Sequence, residues 1–290
     1  MKPAEYSEKS IASLLPERPA RSNKGTYGKI LCAAGSYGMS GAAYLSAKAA
    51  YRTGAGLVRI LTPEENRVIL QSTLPEAVLS VYDAEAPDAF FLRQNAEWAD
   101  VLVIGPGLGR SEGAKAVLVG LLQSFGKTSN RPVILDADAL NLIAEEPSLW
   151  TLIPPKTIIT PHPGEMSRLC GRTIPEILSD IPGTCRRFAK EHDVICVLKD
   201  HETAVADSRA GSAEEVYINH TGNSGMATAG VGDVLTGMIA SLCAQGMPAW
   251  AAAVLGVRLH GMAGDRAASI LGEYSVMASD IVDSIPYVMR

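Results

Sequence analysis

The sequence predicts an α/β protein built on a mainly parallel central sheet. Three observations carry this. Short runs rich in Val, Ile and Leu recur with little polar alternation, as strands covered on both faces require. Helical patterns separate the runs, the signature of strand–helix–strand units. Glycine- and proline-rich segments directly follow several runs, which is where ligands bind in such sheets.

The elements follow in order. The first strand is expected at Lys29–Ala34 and the second at Leu57–Leu61, with an Ala-rich helix over Ala42–Thr53 between them. Val101–Ile104 and Val133–Leu135 read as strands joined by a helix over Gly113–Ser124, where Ala116, Val117, Leu118, Leu121 and Leu122 form an apolar stripe. A helix at Ala139–Ala144, a strand at Thr157–Thr160, a helix over Ile174–Glu191 and a strand at Val194–Leu198 come next. Ala204–Ala206 and Glu215–Asn219 flank the turn-forming stretch Asp207–Ser212 and read as a hairpin. Helices over Asp233–Ala244, Ala249–Leu271 and Met277–Ser284 close the chain. Trp250, Val254 and Leu255 suit a core or an interface equally well.

Composition narrows the function classes. The chain has 290 residues, 47% hydrophobic and 20% charged, with a net charge of −5. That is too apolar and too weakly charged for a disordered chain. The acidic balance disfavours a general nucleic-acid surface. Cys32, Cys170, Cys185, Cys196 and Cys243 are odd in number and show no CxxC spacing, so reduced, buried thiols are expected. Residues 1–28 show no apolar leader, and no run reaches the roughly 20 apolar residues of a membrane helix. A cytoplasmic protein without membrane or nucleic-acid partners is the expectation. One domain over 1–290 is expected, with 1–23 as an extension.

Four segments concentrate Gly, Pro and polar residues at strand exits: Gly35–Ala43, Gly105–Arg110, Thr160–Glu165 and Asn223–Asp233. A glycine loop that opens a helix offers free amides and the positive end of a dipole, which suits phosphate. Four such loops on one sheet edge point to a shared ligand crevice. The usual nucleotide motifs fail. Gly126-Lys127-Thr128 resembles the end of a P-loop, but Leu121 stands where that motif needs Gly, and no GxGxxG occurs. In the last segment, Gly230-Val231-Gly232-Asp233 precedes an apolar helical pattern. Its amides could stabilise a phosphoryl group, and Asp233 could take a proton from a hydroxyl. A plain N-cap is the alternative for Asp233. His162, between two prolines, is either a positioned site residue or a loop histidine bonded to backbone. Asp136 and Asp138 would lie on one side of an extended strand end and hold Mg²⁺ through water, or cap the next helix; Glu165 could act on a metal likewise. Lys199 reads as a solvated strand end. His192, His201, His220 and His260 show no ligand-like spacing and read as structural or surface residues.

Taken together, the loops resemble the ADP/ATP-dependent NAD(P)H-hydrate dehydratases of the ribokinase-like superfamily. The resemblance spans roughly Lys24 to Ala268. It is carried by Lys24–Gly28, Gly35–Ala43, Gly54–Val58, Gly105–Gly109, Asp136-Ala137-Asp138-Ala139-Leu140-Asn141, Thr160–Glu165 with its Pro161-His162-Pro163-Gly164-Glu165, Lys199 with Thr203, and Thr221–Leu235. Ser224, Ala229 and Val231 depart from the frequent pattern, while Gly232-Asp233 is intact.

The resemblance implies a three-layer α/β/α fold and a repair reaction. NADHX and NADPHX, hydrated at C6 of the nicotinamide ring, would be dehydrated to NADH and NADPH through phosphorylation of the hydroxyl and loss of phosphate. By the same resemblance, Asp233 would be the base and the Gly230–Gly232 amides the anion hole. Ala42, Gly109, His162 and Asp233 would bind the hydrate. Lys199, Asp200, His201, Glu202, Thr203 and Gly232 would bind the nucleotide. Mg²⁺ and ADP or ATP are implied, with ADP favoured because the start of the chain looks bacterial. No protein ligand to a metal is assigned. A homotetramer acting on the S form, with a separate epimerase in the cell, is also implied. A thiamin-precursor kinase and a non-catalytic nucleotide sensor are the rival readings.

Overall fold

The computed structural model describes residues 9, 11–126, 130–208 and 215–290. Its sheet has nine strands in the order β3-β2-β1-β4-β5-β6-β7-β8-β9. They are β1 (Lys29–Ala33), β2 (Leu57–Pro63), β3 (Val78–Tyr82), β4 (Val101–Ile104), β5 (Val133–Leu135), β6 (Ile158–Ile159), β7 (Ile195–Leu198), β8 (Ala204–Ala206) and β9 (Tyr217–Ile218). Pairings from β3 across to β7 are parallel, and β8 and β9 close one edge antiparallel.

The apolar runs are explained by coverage on both faces. Ile30 and Cys32 face one core while Leu31 and Ala33 face the other; Val101 and Val103 oppose Leu102 and Ile104 in the same way. Helices over Ser40–Arg52, Val231–Ala244, Ala249–Leu271 and Ala278–Val288 cover the first face. Helices over Ala89–Trp98, Glu112–Phe125, Asp138–Glu145, Pro163–Cys170 and Ile181–His192 cover the second. Val254 and Leu255 are core residues, and Trp250 packs against the same core.

Two expectations need correction. The helix expected over Ile174–Glu191 is two helices, Ile174–Leu178 and Ile181–His192. Proline sits in the first turn of each, and the Asp180 carboxylate caps the second by accepting from the Gly183 amide at 2.9 Å. Strand β3 and the helices Arg67–Thr73, Ala89–Trp98 and Pro163–Cys170 were not anticipated. The hairpin strands do pair, Val205 opposite Tyr217, but 209–212 of the expected turn lie outside the described residues, as do Lys127 and Thr128.

The fold positions the site through strand order. The chain leaves β1 toward β2 and β3, then returns to place β4 on the other side of β1. Crevices for ligands form at such a reversal, beyond the carboxyl ends of the strands. The exits of β1, β4, β5, β6 and β7 all lie on that edge. Among the described residues no helix is long and apolar enough to cross a membrane.

Candidate active site

The strand exits are tied into one surface by backbone contacts. The Gly35 amide donates to Pro106 O at 2.8 Å, joining the first two glycine loops. Gly105, at φ +129°, lies against the Asp136 carbonyl where any side chain would clash. The Lys199 amide donates to Pro161 O at 2.8 Å, joining the exits of β6 and β7.

Asp136 is the anchor of this surface. It is 1% exposed. One carboxylate oxygen accepts from Lys199 Nζ at 2.9 Å and the other from Thr236 Oγ1 at 2.8 Å. Lys199 comes from β7 and Thr236 from the helix Val231–Ala244, so one carboxylate fastens three elements. Lys199 is only 20% exposed, which corrects the reading of a solvated strand end. Burial alone would lower its pKa, but Asp136 and Glu165 outweigh that and hold it above the ordinary lysine value. Its ammonium stands 3.2 Å from where a Cβ on Gly232 would lie. A fixed cation therefore sits against the glycine loop.

Asp233 behaves differently. The helix starts at Val231, with Gly230 as its N-cap in the left-handed conformation (φ +87°). Asp233 is thus the third helical residue and not the cap. The first amide tied back is that of Val234, to Gly230 O at 3.2 Å. Among the described residues the amides of Val231, Gly232 and Asp233 meet no acceptor, as expected in a first helical turn. The Asp233 carboxylate has no hydrogen-bond partner among the described residues. Burial, and next the charge of Asp136, push its pKa up to about 7, against the opposing pull of Lys199. A carboxylate poised near neutral pH beside open amides has the properties of a base acting on a hydroxyl that attacks an anion.

The two aspartates of the Asp136–Asp138 pair do not lie on one side of an extended strand end. Ala137 adopts φ 49°, ψ −114°, and turns them apart. Asp138 opens the helix Asp138–Glu145, and its carboxylate accepts from the Gly109 amide at 2.8 Å. That amide is therefore engaged within the protein. Ala42 lies in the first turn of the helix Ser40–Arg52, and a Cβ on Gly107 would stand 2.8 Å from its methyl.

His162 is both a cap and a site-edge residue. Its Nδ1 accepts from the amides of Gly164 and Glu165 at 3.0 and 3.3 Å, while Glu165 accepts from the His162 amide at 2.9 Å. This capping box starts the helix Pro163–Cys170. Burial, then Lys199 and Arg168, lower the His162 pKa. Because Nδ1 accepts from two amides, the hydrogen of the neutral ring lies on Nε2. Glu165 is buried, and burial raises its pKa.

Asp200–Thr203 form a turn at the exit of β7, closed by Thr203 Oγ1 donating to Asp200 O at 3.1 Å. His201 and Glu202 are exposed on the rim, and His220 Nδ1 lies 2.9 Å from Glu202 Oε1. So Lys199 alone of this set reaches Gly232. One residue near the site escaped the sequence reading, and another proved to be structural. Thr236 carried only the weak signal of a hydroxyl inside an apolar helix. His260, expected to be structural or surface, is 8% exposed, and its Nε2 meets Val231 O at 3.0 Å.

With this geometry in place, comparisons with known proteins are informative. The family described as NAD(P)H-hydrate dehydratase matches residues 30–287. The bifunctional NAD(P)H-hydrate repair enzyme of Moorella thermoacetica is 41% identical over 286 residues, covering 96% of this chain and 52% of that protein. The chain thus spans about half the length of such relatives. The ADP-dependent (S)-NAD(P)H-hydrate dehydratase of Neisseria meningitidis is 38% identical over 253 residues, covering 86% of this chain and 80% of that protein. The crystal structure of the ADP/ATP-dependent NAD(P)H-hydrate dehydratase of Bacillus subtilis, co-crystallised with ATP and Mg²⁺, superposes with a TM-score of 0.80 at 32% identity, covering 96% of this chain and 94% of that one. The expected ribokinase-like three-layer fold is borne out.

Proposed function

This chain belongs to the NAD(P)H-hydrate dehydratase family, and on that premise we propose that it returns the S forms of NADHX and NADPHX to NADH and NADPH with the help of a nucleotide. The terminal phosphoryl group of ADP or ATP lies over the Gly230–Gly232 amides. Asp233 takes the proton of the C6 hydroxyl as its oxygen attacks phosphorus, and the shortened nucleotide departs. Phosphate then leaves with the C6–O electron pair, and a neighbouring ring carbon gives up a proton to restore the double bond. Hydroxide leaves such a ring poorly and phosphate leaves well, which is why a nucleotide serves a dehydration.

The observation that carries this reading is the Asp233 carboxylate, raised to about 7 on the third residue of a helix whose first three amides are open. Ala42, Gly109 and His162 line the hydrate side in this proposal. Lys199 and Gly232 face the transferred phosphate, with Asp200, His201, Glu202 and Thr203 along the nucleotide's outer rim. ADP is the favoured donor, in keeping with the name of the Neisseria relative. Mg²⁺ enters as a companion of the nucleotide. Among the described residues no three His, Cys, Asp or Glu side chains group to hold a metal, and Asp136 and Asp138 already accept protein hydrogen bonds. The ion's ligands would include phosphate oxygens and water, and its role would be charge neutralisation. A homotetramer in the cytoplasm, supplied with the S form by an epimerase, completes the reading.

The test is direct. Purified protein given enzymatically hydrated NADH, Mg²⁺ and ADP or ATP is expected to restore the near-ultraviolet absorbance of NADH and release phosphate. Absence of both products with either nucleotide would refute the proposal. Parallel kcat/KM measurements with ADP and ATP decide the donor.

A further inference from the structure

Resting on that reading of the site, we propose that His260 is a positioning residue that orients and polarises the Gly232 amide through the Val231 carbonyl. His260 lies on the long helix Ala249–Leu271 and is buried, with Nε2 at 3.0 Å from Val231 O. A carbonyl only accepts, so Nε2 carries the hydrogen. Burial lowers the ring's pKa to about 4, and a neutral ring has that single N–H to give.

Val231 C=O and Gly232 N–H belong to one planar peptide unit and point in opposite directions. The helical ladder already directs the Leu235 amide at Val231 O. His260 adds a second donor to the same oxygen from outside the helix. Two donors on the carbonyl end fix the tilt of the plane. They also draw electron density from its nitrogen, so the Gly232 N–H becomes a stronger donor. Gly232 itself lies beside Lys199, whose Nζ stands 3.2 Å from where a Cβ on Gly232 would be, and the transferred phosphoryl group would sit between this amide and that cation.

The rest of the long helix holds the approach to this loop. The Thr221 hydroxyl donates to Arg258 O at 2.9 Å, and Asp265 accepts from the Gly222 amide at 3.0 Å and from Asn223 Nδ2 at 2.9 Å. Gly261 and Gly264 let Thr221 and Met226 lie directly on the helix, where any side chain would collide. Arg258, Gly261, Gly264 and Asp265 recur at helical spacing on one face. His260 extends that support to the first turn of the helix that carries Asp233.

Two measurements test the proposal. In ¹⁵N-glycine-labelled protein, His260→Leu is expected to move the Gly232 amide proton upfield, and His260→Gln, whose amide nitrogen can stand near the Nε2 position, to return it toward wild type. In steady-state assays His260→Leu should lower kcat about 10-fold while the KM values for hydrate and nucleotide stay within about twofold, with His260→Gln recovering most of the loss. A purely structural histidine would lower the melting temperature without this split. If His260→Leu does not fold, His260→Asn, too short to reach Val231, replaces it. An unmoved Gly232 amide with an unchanged kcat overturns the proposal. If wild type is inactive on hydrates, the proposed function falls, and the Gly232 shift alone decides the role of His260.

Discussion

Asp136 and Asp233 occupy one crevice and carry the same side chain, yet their surroundings give them opposite tasks. Asp136 is sealed off, with Lys199 on one oxygen and Thr236 on the other. Its charge is matched, and it fastens β5, β7 and the helix Val231–Ala244 together. Asp233 is mostly buried too but lacks a hydrogen-bond partner among the described residues, and the neighbouring Asp136 charge raises it further. The difference teaches that a satisfied carboxylate holds the frame, whereas an unsatisfied one beside it is free to exchange a proton. The frame helps set the base's affinity for that proton.

The sharpest way to break this contrast is Asp233→Asn. It keeps the shape and removes the base, so turnover should fall roughly 10³-fold while nucleotide affinity is largely retained, as read by calorimetry. Turnover near wild type would show that Asp233 is not the base. Next in size is Asp136→Ala. It leaves Lys199 buried without its partner and should cost about 3 kcal/mol of stability in chemical denaturation. It should also move the Asp233 pKa downward, because a repelling charge is lost and Lys199 is freed to attract. A stability change near zero would mean that Asp136 is not the anchor.

The smallest effect concerns stability against pH. The Asp233 pKa is about 7 in the folded protein and near 3.8 unfolded. The folded state therefore binds the proton more tightly, and stability contributed by the protonated group is lost as pH rises through that window. Asp233→Asn is expected to raise the melting temperature by a few degrees at pH 8 and to leave it unchanged near pH 4. Equal shifts at both values would contradict a raised pKa.

Much of this was legible in the sequence, for identifiable reasons. Val101–Ile104 and Val133–Leu135 were placed to the residue because central parallel strands must be apolar on both faces. Edge strand β3 was missed because its burial is partial and Val78 is exposed, so Val78–Tyr82 lacks a continuous apolar run. Pro175 and Pro182 already marked the break in the Ile174–His192 stretch, each at a helix start. The Gly230–Asp233 segment was readable because phosphate recognition by backbone leaves its mark in glycine spacing. The Asp136–Lys199–Thr236 clamp was not readable. Its members lie 63 and 100 positions apart and meet only because β5, β7 and a late helix converge. His260 was hidden likewise, since its partner is a backbone carbonyl that any residue provides.

The measurement that meets the central claim most directly is a ¹³C NMR titration of the aspartate carboxyl groups, with Asp233 assigned by its loss in Asp233→Asn. A carboxyl titrating near pH 7 that vanishes in that variant, and moves to lower pH in Asp136→Ala, is the predicted result. An Asp233 signal titrating near pH 4, unmoved by the loss of Asp136, would contradict the account.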